Sequence, residues 1–124
     1  MTSSSTTSSG DLPHSVVSDH LFVRHNGTFV NLSIAEITHI SADGNYCYVH
    51  LSENRKYAVK NSLKAFKEHL SEQAFLQASR GQLINFTHIR EVNFARAHIL
   101  ISDGLTLPIG NAYRKEVEQW INRV

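Results

Sequence analysis

Between residues 20 and 108 the sequence is a series of short apolar or alternating segments separated by turn-forming residues. An Asn-Gly pair begins at Asn26, and Asp-Gly pairs begin at Asp43 and Asp103. Such pairs adopt the positive φ angles that a tight two-residue turn requires, so each indicates a hairpin. The sequence therefore predicts many short antiparallel strands.

Within these segments, alternation predicts which side chains share a face. Cys47, Val49 and Leu51 fall on one face of a strand, and the Tyr and His residues between them fall on the other. Residues 36–41 also alternate between apolar and polar side chains, which is typical of a strand buried on one face only.

Two segments have apolar residues at helical spacing. Ser62 is positioned to cap a helix from Leu63 to about Leu70, and Asn111 is predicted to cap a second helix near the end of the chain. The apolar stripe of the second helix is Tyr113, Val117, Trp120, Ile121 and Val124. Because both helices need the strands to bury these stripes, the sequence predicts one mainly β (α+β) domain with two short-to-medium helices.

Charge and composition divide the chain near residue 20. The first ten residues are almost entirely Ser and Thr, so we expect residues 1–19 to form a disordered leader and residues 20–124 to form the domain. The whole chain has a net charge of +1, but the leader holds two Asp and no Lys or Arg, which leaves the domain modestly basic at +3. This charge permits an anionic partner without requiring one.

Several kinds of chemistry lack support in the sequence. No segment approaches the ~20 apolar residues of a membrane span, and the chain has one Cys, Cys47, so we expect a cytoplasmic protein without a membrane partner. The eight His show no paired helical spacing, and no glycine-rich phosphate loop occurs. Cys47 is expected to be a structural thiol because it faces the core. We therefore expect no metal, no cofactor and no enzymatic activity.

Polar residues that can bind nucleic acid cluster where predicted elements begin or end. They are Asn45, Tyr46, Lys60, Asn61, Ser79, Arg80, Asn111, Tyr113 and Arg114. Arg binds guanine edges, Asn binds adenine edges or phosphate, and Lys and helix amino ends bind phosphate. Each cluster alone is more typical of an ordinary turn than of a binding site.

Four motifs then occur in a recognisable order. Residues 34–46 read IAEITHISADGNY, residues 62–66 read SLKAF, residues 75–85 read FLQASRGQLIN, and residues 107–115 read LPIGNAYRK. Together they resemble the LytTR (LytR/AgrA-type) DNA-binding domain, whose corresponding motifs are DI-YIEA-GNY, TLKEL, FLRVHRSYLVN and LPVSRRYKK. The resemblance covers about residues 20–121.

The resemblance implies an elongated, mostly β fold that inserts loops into successive grooves of double-stranded DNA, without a recognition helix. It implies a transcription regulator, often the output domain of a response regulator in a bacterial two-component system. Two copies commonly bind direct repeats, and a homodimer on DNA is expected. Asn45, Arg80 and Asn111 match the positions that contact DNA in the family. Our own interpretation of the residues adds Lys60, Asn61 and Arg114 as phosphate contacts.

Departures from the family motifs leave alternatives open. Ser79 and Gly81 replace His and Ser, and Gly110-Asn111 replaces Ser-Arg or Gly-Arg. An Arg at position 111 would suit bidentate recognition of guanine, whereas Asn111 suits adenine or phosphate. A protein-interaction module that has lost DNA binding is therefore the alternative hypothesis. With 19 residues before the resemblance begins, we expect either an output domain separated from its receiver or a stand-alone regulator.

Overall fold

The computed structural model describes Val16, Val17 and residues 19–122. Its strands, in chain order, are β1 (Val16–Val17), β2 (His20–His25), β3 (Thr28–Ser33), β4 (Ile37–Asp43), β5 (Tyr46–Leu51), β6 (Arg55–Val59), β7 (Phe75–Ser79), β8 (Gln82–Asn85), β9 (Ile89–Asn93), β10 (His98–Ile101) and β11 (Thr106–Pro108). The α-helices are α1 (Leu63–His69) and α2 (Arg114–Ile121), and short 3-10 turns span Ile34–Glu36, Phe86–His88 and Asn111–Tyr113.

The strands form three antiparallel sheets. The first sheet has the order β1-β2-β3, the middle sheet has the order β6-β5-β4-β8-β7, and the third has the order β11-β10-β9. The predicted α+β class with two helices is confirmed. The Asn26–Gly27 hairpin is also confirmed, because these residues join β2 to β3 with φ angles of 52° and 78°.

The middle sheet separates two hydrophobic cores. Phe75 and Leu83 belong to the first core, and their chain neighbours Leu76 and Ile84 belong to the second. Because successive side chains of a strand point to opposite faces, the two cores lie on opposite faces of β7 and β8. The first core is completed by β2, β3 and α1, and the second by the third sheet and α2.

The expectation that residues 36–41 form a strand buried on one face only is wrong. Ile37, Thr38, His39 and Ile40 are all buried, including the two polar side chains. The physical reason is that Ile37 and Ile40 belong to the first core, whereas His39 lies beside Ile84 of the second core and stacks on His50. Two polar side chains of this alternating segment are therefore buried. The Thr38 hydroxyl, for example, donates a hydrogen bond to the carbonyl oxygen of His50 at 3.2 Å.

Of the two predicted helix caps, one is confirmed. The Ser62 hydroxyl accepts a hydrogen bond from the backbone N–H of Ala65 at 3.1 Å, as an N-cap should. Asn111 does not cap α2, because it is the first residue of a 3-10 turn that precedes the helix. Val124, the last residue of the predicted stripe, lies outside the described residues.

The predicted leader falls mostly outside the described residues. Within it, Val16–Val17 pairs with β2, with Val16 opposite Leu21 and Val17 opposite His20. The described strand pairing therefore begins before residue 20, where we placed the start of the domain.

Candidate nucleic-acid interface

The predicted contact residues on the middle sheet gather at one of its ends, which we call the turn end. Asp43 pairs with Tyr46 across the β4–β5 turn, and Cys47 pairs with Val59 at the end of β6. The turn that carries Asn45 therefore lies beside the segment that begins with Lys60 and Asn61. Antiparallel pairing alone produces this arrangement, because adjacent strands run in opposite directions.

The β7–β8 turn lies at the same end. Ser41 pairs with Gln82, and the backbone N–H of Ala42 donates to the carbonyl oxygen of Gly81 at 2.9 Å. This bond joins the β4–β5 hairpin to the loop that carries Arg80. Ser79, the last residue of β7, is half-buried, whereas Arg80 is exposed.

The segment leading into α2 completes the turn end. The backbone N–H of Gly110 donates to the carbonyl oxygen of Ala78 at 2.8 Å. A side chain at position 110 would start 3.5 Å from Cα of Ser79 and 3.3 Å from the Tyr113 ring, so the small size of glycine permits this close approach. Asn111 is consequently exposed next to the β7–β8 turn.

The predicted contact residues differ in how far the fold already uses their side chains. Asn45, Lys60, Arg80 and Asn111 are exposed, and within the described residues none of their side chains makes a hydrogen bond or an ion pair. Tyr46 is 45% exposed. These side chains are available to a partner without breaking a contact of the domain.

The side chains of Asn61 and Arg114, in contrast, already make hydrogen bonds within the domain. The side-chain oxygen of Asn61 accepts from the backbone N–H of Ser62 at 2.9 Å, at the start of α1. The Arg114 guanidinium donates to the carbonyl oxygen of Phe94 at 3.0 Å and lies 3.5 Å from the carboxylate of Glu118. A phosphate would therefore have to be bound by side chains that already make contacts within the domain.

Tyr113 lies on the other side of the β7–β8 turn. It is half-buried and, together with Arg80, Lys64 and Lys67, lines a groove between α1 and the 3-10 turn that precedes α2. The Lys67 ammonium donates to the side-chain oxygen of Gln77 at 3.2 Å. Glu68 also lines this groove, and the Lys67 ammonium lies 3.9 Å from the carboxylate of Glu116, so the charges beside Arg80 are mixed.

Gln82 is a polar group of the turn end that our candidate contacts omit. Its side-chain oxygen Oε1 is buried and has no hydrogen-bond partner among the residues that the structure describes. A buried acceptor without a hydrogen bond lowers the stability of the fold, and a hydrogen bond from a donor would remove this cost. The only sequence signal was its place in the polar segment between β7 and β8, which does not indicate burial.

A second polar cluster lies on β4 and β5. The His39 and His50 rings stack with their centroids 4.0 Å apart, and Ser41 Oγ is 2.9 Å from Nε2 of His50. Burial, with a smaller contribution from the neighbouring His50, lowers the pKa of His39 to about 4. Both imidazoles are therefore neutral at pH 7, since burial also lowers the pKa of His50.

Cys47 is buried in the first core, and burial raises the pKa of its thiol, which disfavours the reactive thiolate. Within the described part of the chain, no three His, Cys, Asp or Glu side chains come together as metal ligands would. No helix of that part is long and apolar enough to cross a membrane.

Comparisons with known proteins define the class to which this fold belongs. The family model of the LytTr DNA-binding domain matches residues 27–122. The chain therefore belongs to the LytTr DNA-binding domain family, as its motifs indicated.

A solved structure supports the fold independently. The LytTr DNA-binding domain of a Bacillus cereus protein, described as a methyl-accepting/DNA response regulator, is similar with a TM-score of 0.73. The two are 16% identical in sequence, and the match covers 86% of this chain and 99% of that one. No curated protein sequence matches this chain.

Proposed function

We propose that this protein is a transcription regulator that binds double-stranded DNA sequence-specifically, with the residues of the turn end as its contacts. The observation that carries the proposal is the convergence of Asn45, Lys60, Arg80 and Asn111, which come from four separate segments and are all exposed at one end of the middle sheet. Base edges and phosphates are the groups that Asn, Arg and Lys side chains bind in DNA.

The dimensions of the middle sheet fit this role. Its five strands give four spacings of about 4.8 Å, so the turn end is about 19 Å wide. Half a helical turn of DNA is about 17 Å long. Residues at the two edges, such as Lys60 and Asn111, would then face neighbouring grooves or the backbones that border them. This match supports our proposal that loops insert into successive grooves, without a recognition helix.

The wider context of the proposal rests on the family. We propose that two copies bind direct repeats, and that they form a homodimer on DNA. We further propose that the domain works in the bacterial cytoplasm as the output part of a response regulator in a two-component system. The similar Bacillus cereus structure supports this context, because that protein is described as a response regulator.

Selection from a random duplex library, followed by sequencing, tests the proposal. We expect an enriched motif that recurs as a direct repeat near one helical turn, about 10 base pairs, if two copies bind the same face of DNA. Binding should weaken as salt rises, because phosphate contacts release counterions. Equal binding of selected and random duplexes with no salt dependence would contradict the proposal.

The second candidate function is a protein-interaction module that has lost DNA binding. Asn111 favours it, because the family motif has an Arg there. The variant Asn111→Arg separates the two, since the residue is exposed and the change should not disturb the fold. A gain in affinity for duplex DNA supports the regulator. If neither the parent nor this variant binds any duplex, the interaction module is favoured.

A further inference from the structure

A recess of about 520 Å³ lies beside the turn end, where the β2–β3 turn approaches the ends of β5 and β6. Arg24 and Asn26 of the first sheet line one side, and Tyr46, Lys60 and Asn61 of the middle sheet line the other. None of the lining residues is Asp or Glu. Two cations from different sheets therefore share one recess without a lining carboxylate to neutralise them.

His25 fixes the position of the β2–β3 turn. Its Nδ1 is 2.9 Å from the carbonyl oxygen of Ala58 in β6, and its Nε2 is 3.3 Å from the amide nitrogen of Asn26. A carbonyl oxygen can only accept, so the ring donates from Nδ1 to Ala58. The ring also meets Tyr57 edge-on at 5.3 Å. The turn is thereby attached to the strand that ends at Lys60.

Arg24 is held at the mouth of this recess. Its guanidinium lies 5.4 Å from the centre of the Phe29 ring, which is 52% exposed. A cation above an aromatic face keeps its charge and its hydrogen-bond donors while its conformational freedom falls. Arg24 makes no ion pair with the described residues. Its donors are therefore positioned for an anion at low entropic cost.

We propose that the β2–β3 turn is an additional DNA contact, in which Arg24 and Lys60 together bind a backbone phosphate at the edge of the turn end. This inference rests on the proposed function and deepens it, because it places the first sheet in the interface. The tight Asn26–Gly27 turn keeps bulk away from the backbone of the duplex. Neither Arg24 nor this turn belongs to the motifs that relate the chain to its family.

The test compares two variants that remove the same charge, one beside Lys60 and one at the far end of β6, on the duplex that selection yields. Arg24→Ala should weaken binding about tenfold, which is the loss of one charge-assisted hydrogen bond, and should reduce the salt slope by about 1. Arg55→Ala is the control, because Arg55 begins β6 at the end remote from Lys60 and pairs with Glu36 at 2.6 Å. It should leave the salt slope unchanged.

Two further measurements make the result decisive. Arg24→Lys keeps the charge and should keep most of the salt slope, while sequence preference should be unchanged in every Arg24 variant because a phosphate carries no sequence. Equal melting temperatures show that Arg24→Ala still folds. An affinity and salt slope equal to those of the parent would overturn this inference alone. Failure of the parent protein to bind any duplex would instead overturn the proposed function.

Discussion

Gly110 and Ala78 are joined by a backbone hydrogen bond of 2.8 Å, which fixes the segment before α2 to the end of β7. The bond places Asn111 beside the β7–β8 turn, although more than thirty residues separate Asn111 from Ala78 in the sequence. A Cβ atom at residue 110 would lie 3.3 Å from the Tyr113 ring, which leaves little room for a side chain. The position of Asn111 relative to Arg80 thus depends on residue 110 being glycine.

Substitution of Gly110 should therefore affect DNA binding through geometry. Gly110→Val should displace the segment from Ser79 and weaken binding to the selected duplex. It should cost about 1–3 kcal/mol of folding free energy, because it crowds a packed site. Fluorescence anisotropy and urea denaturation measure the two effects. Gly81→Ala is the control, since its nearest neighbour would be at an ordinary 3.7 Å. Equal binding by the Val variant and the parent would contradict this dependence.

Arg80 should contribute more to binding than Arg114. Arg80→Ala should cost about 1–3 kcal/mol of binding free energy and relax the preference at one base pair, as expected for a bidentate contact to guanine. Arg114→Ala should mainly lower the melting temperature, because its guanidinium already bonds to Phe94 O. Competition binding against single-base variants of the duplex measures the preference. A larger loss of binding in the Arg114 variant would reverse this assignment.

Lys60 should act on DNA without regard to sequence. Lys60→Ala should reduce the slope of log K against log salt by about 1 and weaken all duplexes alike. Lys56→Ala is matched in residue type, but Lys56 lies near the start of β6 whereas Lys60 follows its end, and the Lys56 ammonium is 5.2 Å from the Tyr48 ring. Titrations at several salt concentrations compare the two. Identical slopes in both variants would exclude Lys60 as a phosphate contact.

His39 should make the fold sensitive to acid. Its pKa of about 4 lies below the usual value of 6.5, so the unfolded chain binds a proton that the folded one does not. Stability is therefore complete above pH 6.5 and falls as the pH drops toward 4, by up to about 3 kcal/mol. The neighbouring His50 adds to the lowering of the His39 pKa by burial, and Asp103 opposes it.

Urea denaturation at several pH values measures this loss. His39→Leu should reduce the slope of unfolding free energy between pH 6.5 and 4. An unchanged slope in the His39 variant would show that another group is responsible.

Asn85 should stabilise the fold rather than bind DNA. Its buried amide donates to the carbonyl oxygens of Ile34 and Ile37 at 3.3 and 2.9 Å, and its oxygen accepts from Thr87. Asn85→Ala removes the amide from both carbonyl oxygens, of which that of Ile34 keeps a hydrogen bond from the backbone N–H of Ile37, and should cost about 1–3 kcal/mol. Asn93→Ala removes a half-buried turn contact and should cost less. Denaturation midpoints compare the variants, and equal losses would show that burial does not decide the cost.

The sequence predicted the features that depend on neighbouring residues. Asn26–Gly27 form the expected turn and Ser62 caps α1, because both depend on backbone angles and donors within a few residues. Burial of His39 could not be predicted, since it results from a sheet and a core assembled from distant segments. Asn111 was assigned as a cap because its residue type suits one, but the chain inserts a 3-10 turn there.

The same distinction applies to the site. The candidate residues were found from their types and their places at element ends, and pairing then brought Asn45, Lys60 and Arg80 to one end of the sheet. Arg24 and Gln82 were missed, because the recess and the buried acceptor exist only once the sheets are assembled. The hydrogen bond from Arg114 to the carbonyl oxygen of Phe94 could likewise not be predicted, since the two residues lie far apart in the sequence.

The division of neighbouring residues between two cores has a consequence for misfolding. Phe75 and Leu76 fill different cores, as do Leu83 and Ile84. A slip of β7 or β8 by one residue would exchange both pairs at once and place each side chain in a space shaped for the other. Such an error is penalised on both faces of the sheet. We therefore expect few alternative alignments of these strands to compete, although each strand has only four or five residues.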